Sequence, residues 1–417
     1  MKTLKYDTIV IGGGAAGMAA ALELDAKGFS CAIIEREDHL GGILMQCIHN
    51  GFGLHEFSQE LTGPEYAERF ISQTEKSKIA VFLNCTVRSI SKAGISKELL
   101  CVSADGVIRM ECMALILAMG CRERNRGNIR IPGTRPAGVF TAGLAQRLVN
   151  IDGYIPGKEI VIIGSGDIGL IMARRMSWIG CKVKAVVEIM PYPAGLTRNI
   201  VQCLNDFNIP LYLSSQTTAI YGKDRVEGIE VSPMENGVLV HEKSFRIDCD
   251  TVLLSVGLVP ENELSKAAGI ILNEATNGPL VDSMLMTNME GIFACGNVLH
   301  VHDLVDWVSE ESRRAGSHAA AWLKGEKPEL QFRTKPGANV RYINPARIVP
   351  DKNNNIYLRS MIVKNDAVME IRLDNKLIKT IKKGHIQPSE MINLVLGSKD
   401  FKESAITQDS VLEIDLL

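Results

Sequence analysis

The chain has 417 residues, a formal net charge of −2 at pH 7 and 46% hydrophobic residues. That length exceeds what one hydrophobic core serves, so two or three domains are expected. The near-neutral balance argues against nucleic acid or an anionic membrane as a partner, and no apolar run is long enough for a spanning helix. The first residues enter a strand pattern without a charged-then-apolar leader, so a cytoplasmic protein is expected. Ten cysteines are scattered with no CxxC pair and no Cys/His metal spacing, so they are expected to be reduced and mostly buried, with no metal.

In chain order, an apolar strand pattern at 6–11 runs into Gly12-x-Gly14-x-x-Gly17 and then an alanine-rich helical pattern. A second buried strand, Cys31-Ala32-Ile33-Ile34, ends in Glu35. Strand, glycines, helix and acid in this register form a dinucleotide fingerprint. Gly12 permits the tight turn, Gly14 lets the backbone approach a pyrophosphate, and Gly17 lets helix and strand pack closely. The helix N-terminus, from Ala15 and Ala16, offers N–H groups and a positive dipole end to phosphate. Glu35 is placed to accept from a ribose hydroxyl.

Next come Gly41-Gly42 and a segment containing Cys47 and His49. Pro64 near the start of an apolar-periodic run predicts a helix over 61–71. Strands are expected at 80–84 and 86–90, an antiparallel meander at 99–103 and 107–113, and a separate buried strand at 114–120. A second fingerprint follows: strand 159–163, Gly164-Ser165-Gly166-Asp167-Ile168-Gly169, a helix, and a strand ending at Glu188. An acid there favours the free 2′-hydroxyl of NAD(H) and repels the 2′-phosphate of NADPH. The strand 251–256 then leads into Gly257-Leu258-Val259-Pro260. The polar group His300, His302, Asp303 and Asp306 reads as a cluster facing solvent or a partner rather than as a metal site. From about 326 onward short alternating strands predict a small β module for docking or assembly, with Asp374-Asn375-Lys376 as a turn.

On these residues the chain resembles, over 1 to about 325, the two-dinucleotide-fold flavoprotein oxidoreductases, the superfamily of glutathione and thioredoxin reductases. The resemblance implies an α/β fold: two Rossmann-like domains plus the C-terminal β module. Its domains are an FAD domain in two parts, 1–125 and 249–325, an NAD(P) domain, 126–248, and the module, 326–417. It implies FAD on Gly12, Gly14, Ala15, Ala16, Gly17, Glu35, Arg36, Gly42, Val87, Ala118, Gly120, Gly296, Asn297 and Val305. NAD(H), with NADH preferred, would take Gly164, Gly166, Asp167, Ile168, Gly169, Glu188 and Gly257. The 251–260 stretch resembles the return into the FAD domain, and Cys295-Gly296-Asn297 resembles the late FAD motif, with asparagine for the usual aspartate. The CxxxxC of the disulfide reductases is missing, because Leu44 and His49 stand at its two positions. Cys47 and His49 are the remaining catalytic candidates.

The stretches 41–55, 61–66, 295–303 and Pro388-Ser389-Glu390-Met391 resemble one subfamily. It is the FAD/NAD oxidoreductase that accompanies a glycerol-3-phosphate dehydrogenase-like flavoprotein and a small cysteine-rich protein, related to alpha subunits of opine, amino-acid and cyanide-forming dehydrogenases. That resemblance implies a heteromeric oligomer in glycerol catabolism. A stand-alone NADH oxidase or peroxide reductase using Cys47, and a scaffold flavoprotein, are the alternatives.

Overall fold

Parallel β-sheets ending in glycine-rich turns organise both parts of the computed structural model, which describes residues 3–328, 330–402 and 405–417. The chain divides into two compact units, Met1–Cys121 with Pro260–Leu417, and Arg122–Val259.

In the first unit the strands Ala80–Phe82, Cys31–Ile34, Thr3–Ile11 and Gly106–Leu117 lie side by side and parallel. Ile292–Ala294 joins the far edge of Gly106–Leu117, also parallel. The residues at 107–113 and 114–120, expected as two strands, form the single strand Gly106–Leu117. With no glycine or proline inside it to break it, its first part pairs antiparallel with Ser96–Ser103 while Arg109 to Leu117 lies parallel to Thr3–Ile11. The helix Ala15–Ala26 packs against the long helix Val305–Leu323. Small residues allow that crossing: a Cβ on Gly316 would lie 2.5 Å from the Ala20 carbonyl oxygen. The helix expected from Pro64 runs over Gly63–Glu75, with Thr62 and Glu65 as a reciprocal cap.

The C-terminal strands of this unit form a five-stranded sheet and a three-stranded sheet around an apolar core of their own. Asp374 and Asn375 both take positive φ, making the tight hairpin between Lys364–Leu373 and Lys376–Ile386.

The second unit holds a five-stranded parallel sheet in the order Val139–Thr141, Thr251–Leu254, Glu159–Ile163, Lys182–Val187, Leu211–Tyr212. The domain boundary expected after residue 248 puts Thr251–Leu254 in the first domain. Its pairing with Glu159–Ile163 places it in the second, and the unit runs on to Val259. A strand flanked by two parallel neighbours gains its hydrogen bonds and burial there, which the downstream glycine–proline signal does not reveal. An antiparallel sheet built on Ser215–Gly222 and Val226–Glu235 completes this unit.

Candidate functional site

The first glycine-rich turn sits where Thr3–Ile11 meets Ala15–Ala26. Gly12 has φ +105°, and a Cβ on it would lie 2.4 Å from the Ala118 carbonyl oxygen. A Cβ on Gly17 would lie 1.8 Å from the Gly12 carbonyl oxygen, so helix and turn are in backbone contact. Gly14 caps the helix without a side-chain hydrogen bond, and no acid lies in the first turn. The N–H groups at Ala15 and Ala16 therefore face no competing carboxylate of their own helix. Gly42 passes alongside, its Cβ position 3.2 Å from the Gly14 Cα, and that of Gly296 is 2.8 Å from the Ala16 Cβ. The tertiary fold thus brings Gly12, Gly14, Ala16, Gly42, Ala118 and Gly296 together.

Glu35 is buried at the end of its strand and accepts from the Gly13 N–H at 2.6 Å and the Glu37 N–H at 2.9 Å. Its carbonyl accepts from the Cys85 N–H at 2.9 Å, which brings buried Val87 to this end of the sheet. Arg36 is exposed, and the Gly120 carbonyl accepts from the Glu261 N–H at 3.0 Å. The glycine cradle, the uncapped helix and the buried acid fit a dinucleotide.

Beyond Gly42 the chain makes a short 3-10 turn, Gly42–Gln46. Cys47 is half-buried and its thiol donates to the Ile43 carbonyl at 3.3 Å. His49 is half-buried, with Nδ1 3.0 Å from the Asn50 carbonyl and its ring 5.0 Å from Phe52. Among the described residues no two cysteines form a disulfide. The helix that starts at Val305 is tied to this segment: Asp306 accepts from the Glu56 N–H at 2.8 Å and the Gly53 N–H at 3.3 Å. Trp307 stacks on His55 at 5.1 Å, and Arg313 forks onto Glu56.

The polar run after Asn297 is not a solvent-facing cluster. His300 and His302 are buried against Glu311 and the C-terminal residues Tyr342 and Tyr357, and Asp306 is buried against the Gly53 and Glu56 backbone. Glu311 Oε2 lies 2.8 Å from His300 Nε2, and Oε1 lies 3.2 Å from His302 Nε2 and 2.8 Å from the Gly296 nitrogen, whose N–H it accepts. Burial pushes His300 down to about 4, against the pull of Glu311. Burial alone would raise Glu311, but the two imidazoles hold it well below the ordinary carboxylate range. Asp303 pairs with Arg359 instead. Asn297 accepts the His302 N–H at 3.0 Å on Oδ1, and its Nδ2 lies 3.6 Å from Cys121 Sγ. Sequence reasoning missed Glu311; its helical spacing from Val308 and Ser312 marked it as inward-facing, but nothing local paired it with the histidines.

In the second unit Gly164 has φ +90°, and a Cβ on it would meet the Ser255 carbonyl oxygen at 2.1 Å. Gly166 caps the helix Asp167–Trp178 without a side-chain bond, and the Gly169 N–H donates to Ser255 Oγ at 3.0 Å. Ile168 is half-buried one residue into that helix. Buried Glu188 accepts from the Ser165 N–H at 2.8 Å and from the Met190 N–H at 2.9 Å. Asp167 turns away from the helix axis: its Oδ1 accepts from the Leu196 N–H at 2.8 Å and from Asn199 Nδ2 at 2.6 Å. Gly257 takes φ +100° beside Arg124, whose N–H donates to the Gly257 carbonyl at 3.0 Å. The glycine cradle, the uncapped helix and the buried acid fit a second dinucleotide, with the difference that this helix carries an acid, Asp167, in its first turn.

Known proteins share this arrangement over most of the chain. It is 28% identical over 314 residues to an opine oxidase component of Agrobacterium tumefaciens (strain Ach5), covering 70% of this chain and 61% of that protein. It is 26% identical over 303 residues to the HcnB component of hydrogen cyanide synthase from Pseudomonas protegens, covering 66% and 62%. Among solved structures, thioredoxin reductase of T. acidophilum superposes with a TM-score of 0.63 at 25% identity, covering 76% of this chain and 98% of that one. The NAD-dependent persulfide reductase of A. fulgidus shares the fold at a TM-score of 0.60 and 20% identity, over 89% and 68%. The chain therefore spans about six-tenths of the two curated relatives it matches here. No described helix is long and apolar enough to cross a membrane. The pyridine nucleotide-disulphide oxidoreductase profile matches residues 6–324, and the chain belongs to that family as an FAD- and pyridine-nucleotide-dependent oxidoreductase without a CxxxxC dithiol.

Proposed function

We propose that this chain is the NAD(H)-linked flavoprotein component of a heteromeric dehydrogenase. The observation that carries the reading is one arrangement used twice. In each unit a buried glutamate accepts from the N–H of a glycine-rich turn, Glu35 from Gly13 and Glu188 from Ser165, beside a helix with no side-chain cap. Such a turn presents N–H groups to a pyrophosphate and a carboxylate edge to a ribose.

In this reading Gly12, Gly14, Ala15, Ala16, Gly17, Glu35, Arg36, Gly42, Val87, Ala118, Gly120, Gly296, Asn297 and Val305 hold FAD. Gly164, Gly166, Asp167, Ile168, Gly169, Glu188 and Gly257 hold NAD(H), with Glu188 excluding a 2′-phosphate by charge. Bound flavin would supply a centre that exchanges hydride with nicotinamide and electrons with a partner's redox centre. The chain's own residues orient the rings and exclude water, and His49 is the candidate to relay a proton. The flavin's other exchange is with a centre outside the chain, since Leu44 and His49 replace the dithiol through which disulfide reductases pass electrons on.

The partner in this reading is a glycerol-3-phosphate dehydrogenase-like flavoprotein, with a small cysteine-rich protein as a third component, in a cytoplasmic oligomer. Electrons would run from the oxidised substrate to NAD⁺. Support comes from the subfamily stretches of the sequence and from relatives named as subunits of an opine oxidase and a hydrogen cyanide synthase.

Anaerobic titration of the FAD-loaded chain with NADH and NADPH in parallel, followed by visible absorbance, tests the cofactor assignment. Bleaching by NADH at concentrations where NADPH is silent is expected; no bleaching with either would overturn it. A reconstituted complex that oxidises glycerol 3-phosphate without reducing NAD⁺ would overturn the partner assignment.

A further inference from the structure

We infer that His300, His302 and Glu311 form a positioning cluster that fixes the turn at Gly296 and Asn297 and carries to it the hold of the C-terminal β region. The inference rests on the reading of that turn as a flavin contact. Its residues lie within the first unit.

The segment from Gly296 to Asp303 is anchored along its length. From the helix Val305–Leu323, Glu311 takes the Gly296 N–H and faces both imidazoles. From within the segment, the His302 N–H donates to Asn297 Oδ1 at 3.0 Å. From below, Asn262 Nδ2 donates to the Val298 carbonyl at 3.0 Å, and a Cβ on Gly278 would lie 1.7 Å from the Leu299 carbonyl oxygen. From the C-terminal strands, Arg359 donates to the Val301 carbonyl at 3.0 Å and to the Ser389 carbonyl at 2.6 Å, and pairs with Asp303. Asp303 also accepts the Met391 N–H. Tyr342 Oη lies 3.5 Å from His300 Nδ1, and the Tyr357 ring lies 5.3 Å from both imidazoles.

Packing alone does not call for this chemistry. A buried carboxylate is costly to desolvate, and an apolar trio of similar volume would fill the space without that cost. What the ionic set adds is direction: one carboxylate bonds the Gly296 N–H and two side chains from the segment that follows it. The charge also matters. A buried anion one hydrogen bond from the turn disfavours added negative charge nearby, which opposes reduction of a flavin held there. A metal is the weaker explanation. Three ligands with side chains at 0–1% exposure give neither the fourth protein ligand of a closed zinc site nor the open position of a catalytic one.

The test compares the FAD-loaded chain with Glu311→Gln and Arg359→Gln. Released-flavin fluorescence on dilution gives the FAD affinity, and redox titration at saturating FAD gives the flavin midpoint potential. Glu311→Gln is expected to weaken FAD binding at least tenfold and to move the potential positive, a shift that a purely structural loss would not give. Arg359→Gln, which does not touch Gly296, is expected to weaken FAD severalfold with the potential little changed. If Glu311→Gln fails to fold, Arg359→Gln and Tyr342→Phe carry the affinity test. Variants that hold FAD as tightly as the parent, at the parent's potential, overturn the inference and leave the proposed function standing. One equivalent of zinc or manganese in the purified parent, lost in Glu311→Gln, also overturns it. A parent that takes up no FAD overturns both readings, whereas a parent that binds FAD but is not bleached by NADH overturns only the proposed function.

Discussion

The Ser165 hydroxyl donates to Glu188 at 2.6 Å, and the Ser165 N–H donates to the same oxygen at 2.8 Å. The acid at the end of the fourth strand of that sheet is thus held by the glycine-rich turn itself, with its second oxygen on the Met190 N–H. Replacing it by alanine leaves those donors without this acceptor and removes the charge that would repel a 2′-phosphate. Glu188→Ala is expected to weaken NADH binding roughly tenfold, about 1.4 kcal/mol, and to bring NADH and NADPH near parity. Parallel titrations of flavin bleaching measure both, and an unchanged preference for NADH would remove Glu188 from the specificity argument.

Gly17 carries a different demand. Its missing Cβ keeps the helix Ala15–Ala26 against the turn, where the Gly12 carbonyl oxygen would be 1.8 Å away. Neither partner is the end of a flexible side chain, so relief requires backbone movement. Gly17→Ala is expected to destabilise the first unit by about 1–3 kcal/mol or more and to abolish FAD retention. Thermal unfolding and the flavin content of the purified variant check this; parental values in both would sink it.

Cys47 separates the partner-linked reading from a thiol-based one. Its thiol already donates to the Ile43 carbonyl at 3.3 Å, and Gly63 packs against its backbone, the Gly63 N–H donating to its carbonyl at 2.8 Å. Serine keeps a donor of similar size in that place. Cys47→Ser is expected to leave NADH-driven flavin bleaching within about twofold of the parent. Loss of peroxide-dependent NADH consumption in this variant, from a parent that shows it, would instead support the stand-alone peroxide reductase.

Acid should loosen the first unit before it unfolds on other grounds. Burial lowers His300 and His318 to about 4 from the ordinary value of 6.5, and Arg314 adds to the effect at His318. Between those values the unfolded chain binds more protons than the folded one, so stability rises with pH across the window. It is therefore lost as pH falls from about 6.5 toward 4. Glu311, held below its unfolded value, adds a further loss below about 4.5. Urea midpoints measured at several pH values through this window should fall steadily. His318→Phe, which removes a buried titratable ring, should flatten part of the slope. A midpoint independent of pH across the window would contradict the assignment.

The sequence by itself determined the two nucleotide folds and their glycine turns. Strand, turn, helix, strand and acid follow one another locally, so periodicity and residue type place Gly12, Gly17, Glu35, Gly164 and Glu188 without knowledge of distant contacts. The Asp374-Asn375 hairpin was legible for the same reason, since both residues accept the positive φ the turn needs. Tertiary structure alone decided the rest. Thr251–Leu254 reads as a buried strand from sequence, but which sheet it enters depends on a neighbour far away in the chain, Glu159–Ile163. His300 and His302 looked like surface polar residues because their burial comes from Glu311 on the following helix and from Arg359, Tyr342 and Tyr357 on C-terminal strands. Local pattern sets which conformation each segment takes; the pairing of a buried charge with its donors is fixed only when distant segments are packed against one another.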